Sequence, residues 1–389
     1  MSRPLRVLHV IPSIGPARGG PSVVIRTMAR CQTERGLEVH VATTDDNGLD
    51  RIAPLESVPM KQDSVTFWIF RRQTRFYTFS FPLTRWLWKR TAEYDLVHIH
   101  ALFSYPSVAA AICAKFAGVP YIVRPLGTLS HWGMRNRRPW LKRLSFRFIE
   151  SFILKGSAGV HYTSEQEALE ARDWGVRGNS LVIPNPVDLP ENVRGRRTLA
   201  ARMVVLFLSR LDPKKGLDLL LPAFARVRAC NPQAVLMIAG DGDSEFVDGL
   251  KQQALRLGLG QYVSWTGFLR GEEKRDAFAD AGIFVLPSYS ENFGVAVVEA
   301  MGAGLPVIVS DQVGIHREVA KADAGLVVEC SVESLESALT RALGDEQLRA
   351  RMGANASALA RQFSPEIVAK QLIDAYARIC DNHGEPVAA

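Results

Sequence analysis

Residues 284–311, FVLPSYSENFGVAVVEAMGAGLPVIVSD, decide the fold. The run IFVLPS that opens the stretch is apolar and rich in β-branched residues, and reads as a buried parallel strand. SYSENFG breaks that pattern, VAVVEAMGAG is compatible with a short helix stopped by Gly302 and Gly304, and PVIVS is a second buried strand. Strand, polar loop, helix and strand make a βαβ unit, whose loop lies at the carboxyl end of a strand, where open α/β sheets bind ligands. Glu291 sits in that loop, and Glu299 follows about two helical turns later. Between them the amides of Asn292, Phe293, Gly294 and Val295 would open a helix N-terminus, a natural anion site. Carboxylates flanking such a site would repel a phosphate, so they suit hydroxyl groups instead. The expected ligand has phosphate in its middle and a sugar at each end. A loop cap and a solvated helix residue are the plainer reading of two glutamates. That reading weakens because Glu299 lies in an otherwise apolar helix, where an unpaired carboxylate is costly.

The stretch resembles the E-x7-E signature of retaining glycosyltransferases of family 4, including the ENFG loop and the EAMGAGLPVI tail. The resemblance implies the GT-B fold: an α/β chain of two Rossmann-like, doubly wound domains facing across a cleft. The second domain would hold most of the nucleotide-sugar donor and the first the acceptor. Upstream, the strand MVVLFLS is followed by RLDPKKGLDLLLPAFARV, which places Arg210 and Lys215 at a strand's end and a helix's start. Two cations there complement a diphosphate, Arg210 bidentately and Lys215 as a point charge, whereas without a ligand they would oppose the helix dipole. The run resembles the family's R-x4-K diphosphate clamp. AVLMIAGDGDSEF ends a further strand in Gly240-Asp241-Gly242-Asp243. Its D-x-D matches the metal-holding pair of the other large glycosyltransferase fold, but the glycines resemble the G-x-G turn of this family, which needs no metal. No metal or other cofactor is therefore expected. The loop from Gly267 through Phe268 to Arg270 lies where the family's backbone holds the nucleotide base.

The amino half opens with a strand, LRVLHVIP, the loop SIGPARGGP, a helix and a strand, LEVHVATT. The loop reads G-x-x-x-G-G (Gly15, Gly19, Gly20), which is neither the dinucleotide fingerprint nor a P-loop. It is a plain turn, or it resembles the family's Gly-Gly loop that approaches the donor diphosphate. YDLVHIHALF puts His98 and His100 on one face of a strand, with His100 nearer the cleft edge. A metal pair, an acceptor-side role and simple packing all remain open, and no third ligand is in sight. The run resembles the family's D-x-V-H-x-H. PYIVRPLGTLSHWGM departs from the pattern: many members carry His-Gly where this chain has Leu126-Gly127, and that histidine reaches the transferred sugar. Arg124 and His131 are the nearby polar groups that could replace it. Ser164 is expected to cap the helix that follows.

Composition bounds the class. At 389 residues two domains are the default, and 47% hydrophobic content excludes disorder. No apolar run reaches the ~18 residues that span a bilayer, and the first residues read as a strand rather than a signal peptide. Cys31, Cys113, Cys230, Cys330 and Cys380 are odd in number and far apart, which points to free thiols in a reducing cytoplasm. The net charge of +7 splits into +12 over residues 1–200 (28 Lys+Arg against 16 Asp+Glu) and −5 over the rest (19 against 24). An anionic partner is therefore expected for the first half only. Residues 65–90 and 132–148 interleave aromatics with arginines; in the second, Trp140, Leu141, Leu144 and Phe148 share a face while Arg137, Arg138, Lys142, Arg143 and Arg147 crowd the rest. Such segments suit an anionic membrane surface, with a solvated helix over the core as the alternative. No nucleic-acid module is recognisable, and none is expected as a partner.

The expected domains are 1–190, a Pro-, Gly- and charge-rich linker over 191–202, a second domain over 203–362, and a final helix and tail over 363–389 that crosses back to the first. The resemblance gives Arg210 and Lys215 the diphosphate, Glu299 the ribose hydroxyls, and Glu291 with the Asn292–Gly294 amides the transferred sugar. It implies retaining transfer of a hexose from GDP-mannose or a UDP-sugar to a saccharide or a polyprenyl-diphosphate-linked acceptor, in bacterial surface polysaccharide synthesis at the inner membrane face. A nucleotide-sugar epimerase, a sugar phosphorylase or a non-catalytic sugar-nucleotide-binding protein on the same fold are the competitors.

Overall fold

Two parallel sheets organise the chain, each built from runs of β-branched and aliphatic residues buried on both faces. The structure, a computed structural model, describes residues 3–52, 55–136, 138–190 and 203–384. The expected linker 191–202 and Arg137 lie outside them. The chain divides into two units: residues up to Pro186 with the helix Pro365–Gly384, and Val187–Ser364. The second unit begins at Val187 rather than after residue 190, because the Val187 N–H donates to Phe363 O at 2.9 Å.

The first unit's sheet has strands β1 (Arg6–Ser13), β2 (Glu38–Thr44), β3 (Leu55–Gln62), β4 (Val65–Phe70), β5 (Leu96–His100), β6 (Tyr121–Arg124), β7 (Gly159–Tyr162) and β8 (Ser180–Val182). Their order is β8-β7-β6-β5-β1-β2-β4-β3, parallel except for β3, which runs antiparallel to β4. From β1 the chain winds outward through β2 and β4, then returns to the other side of β1 as β5. This is a doubly wound sheet with its switch point between β1 and β5, where His9 pairs in register with His98. The membrane-like reading of residues 65–90 fails for its first part. VTFWIF is β4, buried on both faces at every position but Trp68, and Leu83 and Leu87 of the next helix point into the same core.

The second unit repeats the design with β9 (Met203–Leu208), β10 (Ala234–Ala239), β11 (Val263–Gly267), β12 (Ala281–Leu286), β13 (Val307–Ser310) and β14 (Gly325–Val328). The order is β11-β10-β9-β12-β13-β14, all parallel, with the switch point between β9 and β12. One apolar core joins both faces of this sheet to its helices. Among the described residues no helix is long and apolar enough to cross a membrane, and none of the five cysteines is in a disulfide.

Candidate active site

The loops that leave β9 and β12 meet at the second unit's switch point. After β9 the chain makes a short 3₁₀ turn, Pro213–Lys215, pinned by the Asp212 carboxylate accepting from the Lys214 N–H at 3.1 Å. Gly216 follows with φ 73°, and a Cβ there would overlap the Pro287 carbonyl oxygen, so glycine lets this loop lie directly against the β12 exit. The Tyr289 N–H also donates to Lys214 O at 2.8 Å. The result is that buried Lys215 donates from Nζ to a carboxylate oxygen of Glu291. Glu291 is held from its other side as well. Its N–H donates to Gln312 O at 3.0 Å, and its carbonyl accepts from the Gly314 N–H at 2.8 Å. Lys215 and Glu291, 76 residues apart, are thus one ion pair. An ammonium has three donors, so two remain for a phosphate. Next to it, burial lowers the Lys214 pKa, and the Lys215 cation lowers it further. Arg210 lies exposed two residues past β9.

The helix Val295–Gly302 begins just beyond Glu291, with Gly294 in the left-handed region at φ 93°. The Val297 and Val298 N–H groups already donate to Gly294 O at 2.9 and 3.2 Å, so the helix end offers the amides of its first two residues, Val295 and Ala296, and carries a partial positive charge there. Phe293 contributes only backbone to this corner. Its ring is buried edge-on against Phe363 at 5.6 Å, so it is a core anchor and not a ligand-binding side chain. Asn292 and Val295 flank it. Glu299, one face further along the helix, is not the unpaired carboxylate its apolar sequence context suggested. Lys274 of the helix Gly271–Asp280 donates to it at 2.6 Å. Burial raises the Glu299 pKa, and the Lys274 charge counters that. Lys274 is a site residue that the sequence reading missed. It sits in the charged run GEEKRD, and nothing local marks it as a partner of Glu299.

Gly240 leaves β10 with φ 142°, and a Cβ there would overlap the Ser209 carbonyl. Gly242 meets Leu211 O in the same way. Both glycines therefore let the β10 exit pack on the β9 exit that carries Arg210. Asp243 of the D-x-D caps the helix Ser244–Arg256, its carboxylate accepting from the Phe246 N–H at 3.2 Å. Phe268, past the end of β11, is exposed with the Arg270 guanidinium 4.9 Å from its ring centre. It is an accessible platform at the carboxyl edge of the sheet.

In the first unit, Gly19 (φ 67°) ends the turn Pro16–Arg18 and Gly20 starts the helix Gly20–Thr33. A Cβ on Gly20 would touch nothing within 4 Å, so the fold itself does not require glycine there. His100 and Arg124 are brought together, with Arg124 NH1 3.3 Å from His100 Nδ1. Both are buried, and His100 is the last residue of β5, nearer its carboxyl end than His98. His131 is not part of this group. It pairs with Asp173 at 3.1 Å on the surface. Leu126, standing where the family has histidine, takes left-handed backbone at φ 57°, and the Gly127 N–H donates to buried Glu167 at 2.6 Å. Ala101 and Phe103, past β5, are also left-handed at φ 76° and 55°. Strained non-glycine backbone of this kind concentrates in functional loops. A third histidine joins the pair on β5: ligand atoms of His9, His98 and His100 lie within 4.8 Å of one another.

Comparison with known proteins follows the same division. The family described as "Glycosyl transferases group 1" matches residues 194–359, and "Glycosyl transferase 4-like domain" matches residues 19–186. The D-inositol 3-phosphate glycosyltransferase of Streptomyces scabiei is 27% identical over 328 residues, 77% of this chain and 71% of that protein. The phosphatidyl-myo-inositol mannosyltransferase of Mycolicibacterium smegmatis is 34% identical over 221 residues, 53% of this chain and 54% of that one, so the match spans about half of each. Among solved structures, Anabaena HepE in complex with UDP and glucose superposes with a TM-score of 0.76 at 23% identity, covering 96% of this chain and 100% of that one. WaaG, a glycosyltransferase involved in lipopolysaccharide biosynthesis, gives 0.68 at 17% identity, covering 95% and 99%.

Proposed function

The chain belongs to the group 1, GT4-type glycosyltransferases with the GT-B fold, and from that premise we propose that it is a retaining enzyme. In this reading it moves a hexose from a nucleoside diphosphate sugar to a saccharide or polyprenyl-diphosphate-linked acceptor, in bacterial surface polysaccharide synthesis. The observation that carries the proposal is the Lys215–Glu291 pair beside the N-terminus of Val295–Gly302. It puts cation, helix end and carboxylate within one corner. The diphosphate takes the spare Lys215 donors, Arg210 and the helix amides. The sugar hydroxyls take Glu291, the ribose hydroxyls Glu299, and the base lies by Phe268. UDP occupies the HepE structures and the mycobacterial relatives are named for mannosyl transfer, which supports a UDP-sugar or GDP-mannose as the donor class.

Breaking the anomeric C–O bond leaves negative charge on the diphosphate and positive charge on the sugar ring. Lys215 and the helix end stabilise the first, preorganised and without a metal. The acceptor hydroxyl attacks from the leaving-group face, its proton passes to the departing phosphate oxygen, and the anomeric configuration is kept. Proton NMR of the product made from an α-linked donor tests this: an α-linkage supports retention, and a β-linkage overturns it.

The acceptor is met at an anionic membrane surface. Trp140, Leu144, Phe148 and Phe152 are exposed along residues 139–155, with Arg138, Arg143 and Arg147 among them. Lys115 caps the Phe152 ring at 4.6 Å, its neighbour Phe116 touches Trp88 at 5.5 Å, and Arg138 covers exposed Phe76 at 5.5 Å. Aromatics from three helices and one loop thus form a single cation-laced patch suited to a headgroup layer. The enzyme is then a peripheral protein of the inner membrane face, and a lipid-linked acceptor accords with relatives that act on phosphatidyl-myo-inositol.

A further inference from the structure

Four histidines are completely buried in the first unit: His9 on β1, His98 and His100 on β5, and His161 on β7. The reaction proposed above uses none of them directly. Their contacts form one continuous path. Arg124 NH1 is 3.3 Å from His100 Nδ1, His100 Nε2 is 2.9 Å from His9 Nδ1, and His9 Nε2 is 2.8 Å from Gln32 Oε1. Gln32 Nε2 is 3.0 Å from the hydroxyl of Tyr376 on the C-terminal helix, and that hydroxyl is 2.7 Å from His98 Nδ1. His98 Nε2 is 3.2 Å from His161 Nδ1, and His161 Nε2 is 2.8 Å from Ile183 O.

Both ends of this path are chemically fixed. Arginine can only donate, and a backbone carbonyl can only accept. From the Arg124 end, His100 must accept at Nδ1 and donate from Nε2–H to His9 Nδ1, and His9 must donate from Nε2–H to Gln32 Oε1. From the Ile183 end, His161 must donate from Nε2–H and accept at Nδ1 from His98 Nε2–H. His98 Nδ1 then accepts from the Tyr376 O–H. The two arms meet at Tyr376 with matching polarity, since its oxygen accepts from Gln32 while its hydrogen goes to His98. Turning the Gln32 amide over would demand Nδ1–H on His100 facing a guanidinium, and a bare His161 Nε2 facing a carbonyl. Either one places two like partners against each other in a buried site.

We propose that these residues form a one-way, uncharged hydrogen-bond chain that holds Arg124, with Tyr376 as the positioning residue joining its two arms, and that His9, His98 and His100 are not a metal site. Every Nδ1 lone pair in the trio is already taken, by Arg124, His100 or Tyr376. A divalent ion there would also stand beside the Arg124 cation, which is itself buried, with NH2 bonded to Asn185 Oδ1. The neutral state agrees with the surroundings. Burial, the other histidines and Arg124 hold His98 and His100 well below the usual histidine range, and burial takes His9 to about 4 and His161 to about 3. The chain also ties the final helix to β5 and to the helix Gly20–Thr33, since the Tyr376 hydroxyl meets both His98 Nδ1 and Gln32 Nε2.

The test is ¹⁵N NMR of the full chain with labelled histidine at neutral pH, which reads each ring's tautomer independently of any catalytic activity. The chain requires His9, His98, His100 and His161 all to be neutral Nε2–H forms, unchanged by one equivalent of Zn²⁺. A neutral Nδ1–H form or a charged ring among the four, or zinc-induced shifts on His9, His98 and His100, would overturn it. In Tyr376→Phe the signal of His98 Nδ1 should move toward its unbonded value, while His100, held by Arg124, and His161, held by Ile183 O, keep their tautomers. A change of tautomer at His100 in that variant would equally refute the two-armed polarity.

Discussion

Lys215 donates to Glu291 and keeps two further donors, so its removal strips a cation from the diphosphate position and leaves Glu291 without its partner. Lys215→Ala should weaken nucleotide-sugar binding by ~2 kcal/mol or more, about 30-fold, as for one partner of an enclosed charge pair. Calorimetric titration checks this, and unchanged affinity would refute the clamp. At this scale the sequence was legible where chemistry and spacing coincide. Arg210, Lys215 and Glu291 stand out because charged residues follow apolar strands. Lys274 does not, because its tie to Glu299 is a contact between two helices that no local pattern encodes. Gln32 and Tyr376 were illegible for the same reason. They read as ordinary helix residues until the fold sets them against His9 and His98.

Among the elements, β1, β5 and β7 carry the four enclosed histidines, and this gives the first unit a characteristic pH response. Each folded-state pKa lies below the unfolded value of 6.5. As pH falls below 6.5 the unfolded chain takes up protons that the folded chain refuses, so stability is full above that pH and declines beneath it. Each such histidine contributes ~1.4 kcal/mol per pH unit. Glu167 acts in the opposite sense, since burial raises its folded pKa above 4.5, and it offsets part of the loss only toward the acid end. Urea denaturation between pH 7 and 5 should show a fall steeper than one histidine can produce, and a flat profile would contradict the neutral cluster. The strands themselves were legible from their apolar runs. That β4 belongs to the core was obscured, because its aromatics continue without a break into the arginine-rich segment beyond.

For the whole molecule, the duplicated α/β plan could be read from two series of buried strands separated by helices, each with glycine-bearing loops at carboxyl ends. The position of the unit boundary could not, because Val187 is placed by a hydrogen bond to Phe363, far along the chain. Lys115, Arg138, Arg143 and Arg147, part of the positive charge of the first 200 residues, lie with exposed aromatics on segments that are distant in sequence. Liposome flotation should therefore show binding to vesicles rich in anionic lipid, lost on replacing Trp88, Phe116 and Phe148 by Glu together. Equal recovery on neutral and anionic vesicles would contradict a membrane role for this patch. We propose a metal-independent nucleoside diphosphate sugar site at the switch point of the second unit. It is tested most directly by thermal denaturation of the purified protein with UDP-, GDP- and ADP-sugars, with and without EDTA. The melting temperature should rise with one nucleotide, insensitive to EDTA, and the rise should be much reduced in Lys215→Ala. No shift with any of them, or a shift that requires a divalent metal, would contradict it.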